Sequence, residues 1–364
     1  HRRGGGRAAM KALVAMSGGV DSSVAAALML DQGYDVVGVT LKQWEGIDGQ
    51  MALAGCCTVS DSEDARRVAA QLDVPYYVLD YVEEFTERVV DHFGEMYAAG
   101  LTPNPCIECN RRVRFSVLLE RTRALGCDVL VTGHHARIRH DADGYHLVKA
   151  VDGTKDQSYV LHMLDQEALA KVRLPIGEMT KEKVREYASR MGLRTASKPD
   201  SQDLCFVGEG SYRDFIRSRF PDAARPGPLV MSDGTLLGEH EGMIDFTIGQ
   251  RKGLGVALGE ARYVVDIDGA TATVTLGGRD ELLSAGCLVD DVAFVAGVPP
   301  IDTAVTVKIR YRSAAVPATL EENDDGGWLV RFVEPQAAVA PGQAAVFYRG
   351  DEVLGGGTIS GAVK

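Results

Sequence analysis

The chain has 364 residues, 45% hydrophobic and 25% charged, so it carries enough apolar surface for sizeable cores and more length than one typical domain needs. It holds no apolar run of the ~18 residues that a membrane helix requires, which points to a soluble, cytoplasmic protein with no membrane partner. A formal net charge of -12 excludes sequence-wide attraction to nucleic acid, so any RNA contact has to be local.

Residues 1–9 read as a tag or a disordered start and stay outside the fold. From Lys11 to about Thr132, short apolar runs alternate with helical patterns, the mark of a parallel sheet covered by helices. Strands are predicted at 11–16, 35–41, 76–80 and 128–132. Helices are predicted at 22–32, stopped by Gly33, and at 113–125, stopped by Gly126, while Ser60 with Glu63 opens a capping box for another. A further helix is expected at 181–191, before Gly192. The whole reads as a doubly wound α/β domain over residues 10–213, closed by a loop at 198–210. From Asp214 onward glycine and proline become frequent and helical periods rare, which suggests a small central domain at 214–280. β-like segments at 304–311, 328–333 and 344–348, separated by turn residues, predict a C-terminal β-barrel over 281–364.

The stretch from Met16 through Ser17, Gly18, Gly19, Val20, Asp21, Ser22 and Ser23 falls between the first strand and the first helix. Small residues there let backbone amides approach an anion at a helix N-terminus. A Walker A loop would need a lysine reaching the β and γ phosphates, and none is present. The Ser-Gly-Gly-x-Asp-Ser pattern instead resembles the pyrophosphate loop of enzymes that split ATP between the α and β phosphates and adenylate a substrate. The bland alternative, a glycine-rich turn without chemistry, fits the matched residues in this context poorly.

Seven cysteines, an odd number unevenly placed, do not suggest a disulfide framework. Cys127 and Cys287 sit beside apolar strand-like sequence and read as small core hydrophobes. Cys56 and Cys57 fall in a turn at 55–60, where structural or incidental roles are expected. The segment Thr102-Pro103-Asn104-Pro105-Cys106-Ile107-Glu108-Cys109 reads as a loop stiffened by two prolines, a suitable seat for a positioned nucleophile. Cys205 follows in a polar segment at 198–206, where an inert core thiol is out of place. Cys106 and Cys109 could also be half a zinc site, yet no second pair follows at finger spacing. Two local excesses of positive charge stand out, from seven arginines between Arg111 and Arg139 and from Lys308, Arg310 and Arg312. Such runs are most often solvated faces.

With these segments in hand, the chain resembles the bacterial tRNA-specific 2-thiouridylases from Met10 nearly to the C-terminus. Beyond the pyrophosphate loop and the two cysteine segments, the resemblance rests on Thr132-Gly133-His134-His135, Lys155-Asp156-Gln157-Ser158-Tyr159, Thr247-Ile248-Gly249-Gln250-Arg251-Lys252-Gly253, Arg310-Tyr311-Arg312 and Ala340-Pro341-Gly342-Gln343. It implies that Ala15, Met16, Ser17, Gly18, Gly19, Val20, Asp21, Ser22, Leu41 and Gly133 bind ATP, and that Asn104, Pro105 and Cys106 face the target base. It further implies Cys109 as nucleophile, Cys205 as persulfide carrier, and His134, Lys155, Asp156, Gln157, Arg310, Tyr311 and Gln343 at the tRNA interface. The implied reaction adenylates the C2 carbonyl of the wobble uridine with ATP and Mg²⁺, then delivers sulfur as a persulfide, giving 2-thiouridine, AMP and pyrophosphate. A Cys109–Cys205 disulfide would form and be reset by a reductant. Implied partners are the anticodon loops of tRNAs for Lys, Glu and Gln, and a cysteine desulfurase or sulfur-relay protein as donor.

One position departs from the pattern: Cys106 stands where the family often has Asp, which puts an acid-base role there in doubt. Cys106, Cys109 and Cys205 together also resemble the three cysteines with which related thiolating enzymes hold a [4Fe-4S] cluster, so a cluster-bound sulfide is the alternative route. Amide-forming adenylating ligases, such as argininosuccinate or guanylate synthetases, share the loop but need no paired thiols. A non-catalytic RNA-binding protein would leave the loop unused.

Overall fold

The computed structural model describes residues 9–45, 59–200, 204–207, 211–256, 259–323 and 326–364. Residues 1–8, Cys56, Cys57 and the Ser201-Gln202-Asp203 part of the second cysteine segment lie outside the described residues. The chain forms two compact units. The first comprises His1–Thr86, Cys109–Ser158 and Gln166–Gly208, and the second Glu87–Glu108, Tyr159–Asp165 and Glu209–Lys364.

The first unit is built on a parallel sheet of β1 (Lys11–Ala15), β2 (Asp35–Lys42), β3 (Tyr76–Asp80), β4 (Val129–Val131) and β7 (Val172–Arg173), in the order β3-β2-β1-β4-β7. A hairpin of β5 (Ala136–Asp141) and β6 (Gly144–Lys149) intervenes in sequence. β1 is central, and Ala12, Leu13 and Val14 are all fully buried, which is why its sequence is a continuous apolar run rather than an alternating one. Ala12, Val14 and Met16 pack with Val24, Ala25 and Ala26 of helix α1 (Val20–Asp31), with Ala65, Val68 and Ala69 of α2 (Val59–Gln71), and with Val184 and Ala188 of the Lys181–Arg190 helix. The chain leaves β1 toward β2 and β3 on one side and returns with β4 on the other. Beyond the carboxyl ends of β1 and β4 lies the switch point where open α/β sheets bind ligands.

Three expectations need correction in detail. α2 starts at Val59, so Ser60 lies inside the first turn rather than capping it, and Glu63 is engaged by Arg66 and Arg67 instead of reaching back. The predicted helix at 113–125 begins earlier: Cys109–Phe115 is a π-helical turn leading into Ser116–Ala124. The proline-stiffened loop is in part helical, because Pro105 opens a short helix, Pro105–Glu108, whose first amides face the Asn104 carbonyl and side chain.

The second unit holds two β structures. β8 (Gly227–Met231), β9 (Leu236–His240), β10 (Tyr263–Asp268) and β11 (Thr273–Gly277) form a mixed sheet in the order β10-β11-β8-β9 over a core that includes Val264, Val274 and Leu276. β12 (Leu283–Phe294), β13 (Ala304–Lys308), β14 (Val316–Glu322), β15 (Trp328–Ala337), β16 (Ala344–Arg349) and β17 (Glu352–Val363) close into a six-stranded barrel, because β12 pairs with both β15 and β17. β17 carries the consecutive glycines Gly355, Gly356 and Gly357 because its neighbours approach closely: a Cβ at Gly356 would sit 2.6 Å from the Ala345 carbonyl oxygen and one at Gly357 2.4 Å from that of Asp290.

Candidate active site

The pyrophosphate-type loop joins β1 to α1 and is folded by its own hydroxyls. Ser22 Oγ accepts from the Ser17 amide at 3.1 Å and donates to the Gly19 carbonyl at 3.2 Å, while Ser23 Oγ donates to the same carbonyl at 2.7 Å. Gly19 caps α1 without any side-chain hydrogen bond, so the first amides of the helix are left for an anion. Gly18 takes φ +73° and lies so close to α2 that a Cβ would fall 2.1 Å from the Asp61 carbonyl oxygen. Gly133, after β4, packs on the same helix end, where a Cβ would come within 2.6 Å of the Ser22 amide nitrogen. Leu41 is buried near the end of β2. The residues expected around the nucleotide therefore share one end of one sheet.

Around this loop runs a network of charges that sequence reasoning passed over. Lys181 Nζ donates to both carboxylate oxygens of Asp21, at 2.8 and 2.7 Å, and pairs with Asp200 at 2.9 Å. Asp200 also receives Lys155 at 2.8 Å and Arg185 at 2.7 Å. Lys198 donates to the Gly18 carbonyl at 3.0 Å and to Asp61 and Asp64, each at 2.7 Å. Burial alone would raise the Asp21 carboxyl, but hydrogen bonds from His135 and Lys181 outweigh it and hold Asp21 below its usual range. Asp200 is held well below the usual range in the same way, burial being outweighed by Lys155 and Lys181. These lysines were visible in the sequence, but their partners stand 137 and 160 residues away and only the fold joins them.

The thiols differ in setting. Cys109 is buried at the start of the π-helical turn, with the Gln43 amide 3.6 Å from its sulfur. Cys205 is half-buried, and the next residue, Phe206, is buried. Cys106 is exposed. Cys127 and Cys287 are buried, and burial pushes both thiols up, Cys287 to about 12, as inert core groups. Among the described residues, no three His, Cys, Asp or Glu side chains are grouped to hold a metal ion.

Several side chains expected at an RNA surface have partners within their own unit. His134 is buried against Phe115, its Nδ1 2.8 Å from Thr132 Oγ1 and its Nε2 3.4 Å from Arg114. Because arginine can only donate, Nε2 is the acceptor and Nδ1–H donates to Thr132. Asp156 accepts from the Ala150 and Ser158 amides, and Gln157 from the His135 amide. Arg310 donates to the Ile248 and Ala338 carbonyls. Gln343 donates to the Thr102 carbonyl at 2.8 Å, and the Thr102 amide donates to the Pro341 carbonyl, so the Ala340–Gln343 turn holds the segment leading to Asn104. The Tyr311 ring is exposed.

Comparison with known proteins decides the kinship. The tRNA methyl transferase HUP domain matches residues 10–209, the tRNA methyl transferase PRC-barrel domain residues 213–278, and the aminomethyltransferase beta-barrel domain residues 284–359. The tRNA-specific 2-thiouridylase MnmA of Herpetosiphon aurantiacus is 47% identical over 96% of this chain and 98% of its own length. Those of Chloroflexus aurantiacus and Carboxydothermus hydrogenoformans are each 48% identical over 96% of this chain, covering 98% and 97% of their own lengths. The chain belongs to the tRNA-specific 2-thiouridylase family. The domain descriptions speak of methyl transfer, whereas these family members are thiouridylases. Among the described residues, no helix of this thiouridylase family member is long and apolar enough to cross a membrane.

Proposed function

We propose that the protein converts a tRNA uridine to 2-thiouridine, using ATP to activate the C2 carbonyl. One observation carries this reading: the uncapped N-terminus of α1 and both Cys109 and Cys205 belong to the same compact unit. A uridine C2 carbonyl is a poor electrophile. Attack of its oxygen on the α-phosphorus of ATP releases pyrophosphate and converts that oxygen into an AMP leaving group. The α1 amides, left without a side-chain cap, would hold the departing charge. Mg²⁺, arriving with the nucleotide, supplies charge neutralisation, and Asp21 is the loop carboxylate suited to share such a cation.

Sulfur would arrive as a persulfide on Cys205 from a cysteine desulfurase or a relay protein. In one order, its terminal sulfur attacks C2 and expels AMP, and the Cys109 thiolate then attacks Cys205 Sγ, forming the disulfide and releasing the thiouridine. In the other, Cys109 attacks first and frees hydrosulfide, which attacks C2 and expels AMP. Both orders consume two electrons' worth of thiol, so an external dithiol has to reduce the Cys109–Cys205 disulfide before the next turnover. The substrate would be the wobble uridine of tRNAs for Lys, Glu and Gln, whose single-stranded loop allows the base to be splayed out at modest cost. Exposed Cys106 with Asn104 and Pro105 would face that base, and Lys155, Tyr311 and the backbone around His134, Asp156, Gln157, Arg310 and Gln343 would contact the RNA. The test is incubation with unmodified tRNA, ATP, Mg²⁺ and a persulfide donor. AMP release matched by 2-thiouridine supports the proposal, and AMP release without thiouridine would point instead to an adenylating ligase.

A further inference from the structure

The proposed mechanism uses two cysteines but leaves unexplained what holds them, and the residues just past the end of β2 offer an answer. Gln43 and Trp44 are 2% and 6% exposed, an unusual depth for a polar amide at the end of a strand. Gln43 Nε2 lies 3.6 Å from Cys109 Sγ. The neighbouring Trp44 meets the ring of Phe206 edge-on, with centroids 6.4 Å apart at 70°, and Phe85 meets the same ring at 6.0 Å and 63°. Phe206 directly follows Cys205 in the chain. Lys42, just before the pair, bridges Glu45 and Asp80, which ties the end of β2 to β3. Two consecutive side chains thus reach the two thiol-bearing segments, each by a different interaction.

We propose that Gln43 and Trp44 are positioning residues for the thiol pair, Gln43 donating a hydrogen bond to the Cys109 sulfur and Trp44 clamping Phe206 so that the backbone carrying Cys205 is fixed. An amide donor favours the thiolate over the thiol, because a thiolate accepts hydrogen bonds far better, and the thiolate is the form that attacks a persulfide. The aromatic clamp acts without charge, through edge-to-face packing around a buried ring. The inference rests on the reading that Cys109 and Cys205 act as the pair. It adds that the residues directly following the strand that contributes Leu41 to the expected nucleotide site also set both sulfurs.

The test is peptide-resolved alkylation of the full-length reduced protein by iodoacetamide at neutral pH, with exposed Cys106 as the internal reference, alongside AMP release with tRNA. Gln43→Met is expected to slow alkylation of Cys109 about tenfold, with Cys106 and AMP release unchanged, and Gln43→Asn, which keeps the amide donor, to recover most of the rate. Gln43→Leu, which is of similar size and carries neither donor nor charge, takes the place of Met if AMP release shows the Met variant to be misfolded. Trp44→Leu is expected to speed alkylation of Cys205 several-fold and to lower the turnover number for thiolation with the KM for tRNA unchanged, and Trp44→Phe to restore both. Unchanged Cys109 reactivity in both donor-free variants would overturn the role of Gln43, and unchanged Cys205 reactivity in Trp44→Leu that of Trp44. A Cys109→Ser protein that still thiolates, with the Gln43 effect on the native cysteine intact, would instead sink the underlying reading of the thiols.

Discussion

Gly133 leaves no room for a methyl group, because a Cβ would lie 2.6 Å from the backbone nitrogen of Ser22 at the head of α1. Gly133→Ala is therefore expected to lower ATP-dependent AMP formation by at least ~tenfold through displacement of the loop, and unchanged AMP formation would show that this packing is irrelevant to the nucleotide. Cys109→Ser and Cys205→Ser are each expected to abolish thiolation while AMP release survives, checked by nucleoside mass spectrometry; thiouridine from either variant contradicts the assigned roles. His134 makes a pH prediction. Burial first, then Arg114, pushes its imidazole down from 6.5 to about 3. The unfolded chain takes up this proton below about 6.5 and the folded one does not, so the contribution is complete above that pH and is lost progressively as pH falls toward 3. At pH 5 the loss is about 2 kcal/mol, and His134→Gln is expected to lose correspondingly less between pH 7 and 5 in urea unfolding. Equal losses would contradict the buried, neutral histidine. The turn between β1 and α1 was legible in the sequence because Gly18, at φ +73° and against the Asp61 carbonyl, leaves room for glycine alone. Lys181, Lys198 and Gln43 were not, since a lysine or glutamine acquires a role only from partners that the fold supplies.

At the level of elements, Lys198 is the piece that joins the phosphate loop to α2, through Gly18, Asp61 and Asp64. Lys198→Met leaves two neighbouring carboxylates without their shared cation and is expected to cost about 1–3 kcal/mol, read as a lowered midpoint of thermal unfolding, with Lys198→Arg recovering part of it. No shift in the Met variant would mean that the contacts are surface pairs of little worth. The parallel strands were readable because buried central strands are continuous apolar runs bounded by glycine or polar turns, as in β1 and β4. The helix beginning at Pro105 was misread, because two prolines suggest a loop and only one of them occupies a first helical position. β17 was not among the β-like segments read from the sequence, because its glycines, which admit close approach of neighbouring strands, weaken the strand pattern.

On the scale of the whole molecule, a net charge of -12 leaves RNA binding to local groups of cations. Much of the arginine-rich stretch is engaged internally: Arg114 with Asn110, Arg121 with Tyr81, Arg123 with Glu167 and Arg137 with the Lys149 carbonyl. Affinity for tRNA is accordingly expected to fall only gently with salt, with a log-log slope of magnitude below about 4; a much steeper slope would reveal a basic surface that this account lacks. The measurement closest to the central claim is a single turnover of iron-free protein carrying a persulfide on Cys205, mixed with ATP, Mg²⁺ and unmodified tRNA, and followed by nucleoside and peptide mass spectrometry. The persulfide route requires 2-thiouridine in step with AMP, a Cys109–Cys205 disulfide in the product, and no thiouridine without ATP. Failure of the loaded protein to thiolate, with activity appearing only after an iron-sulfur cluster has been assembled on it, would contradict the persulfide route.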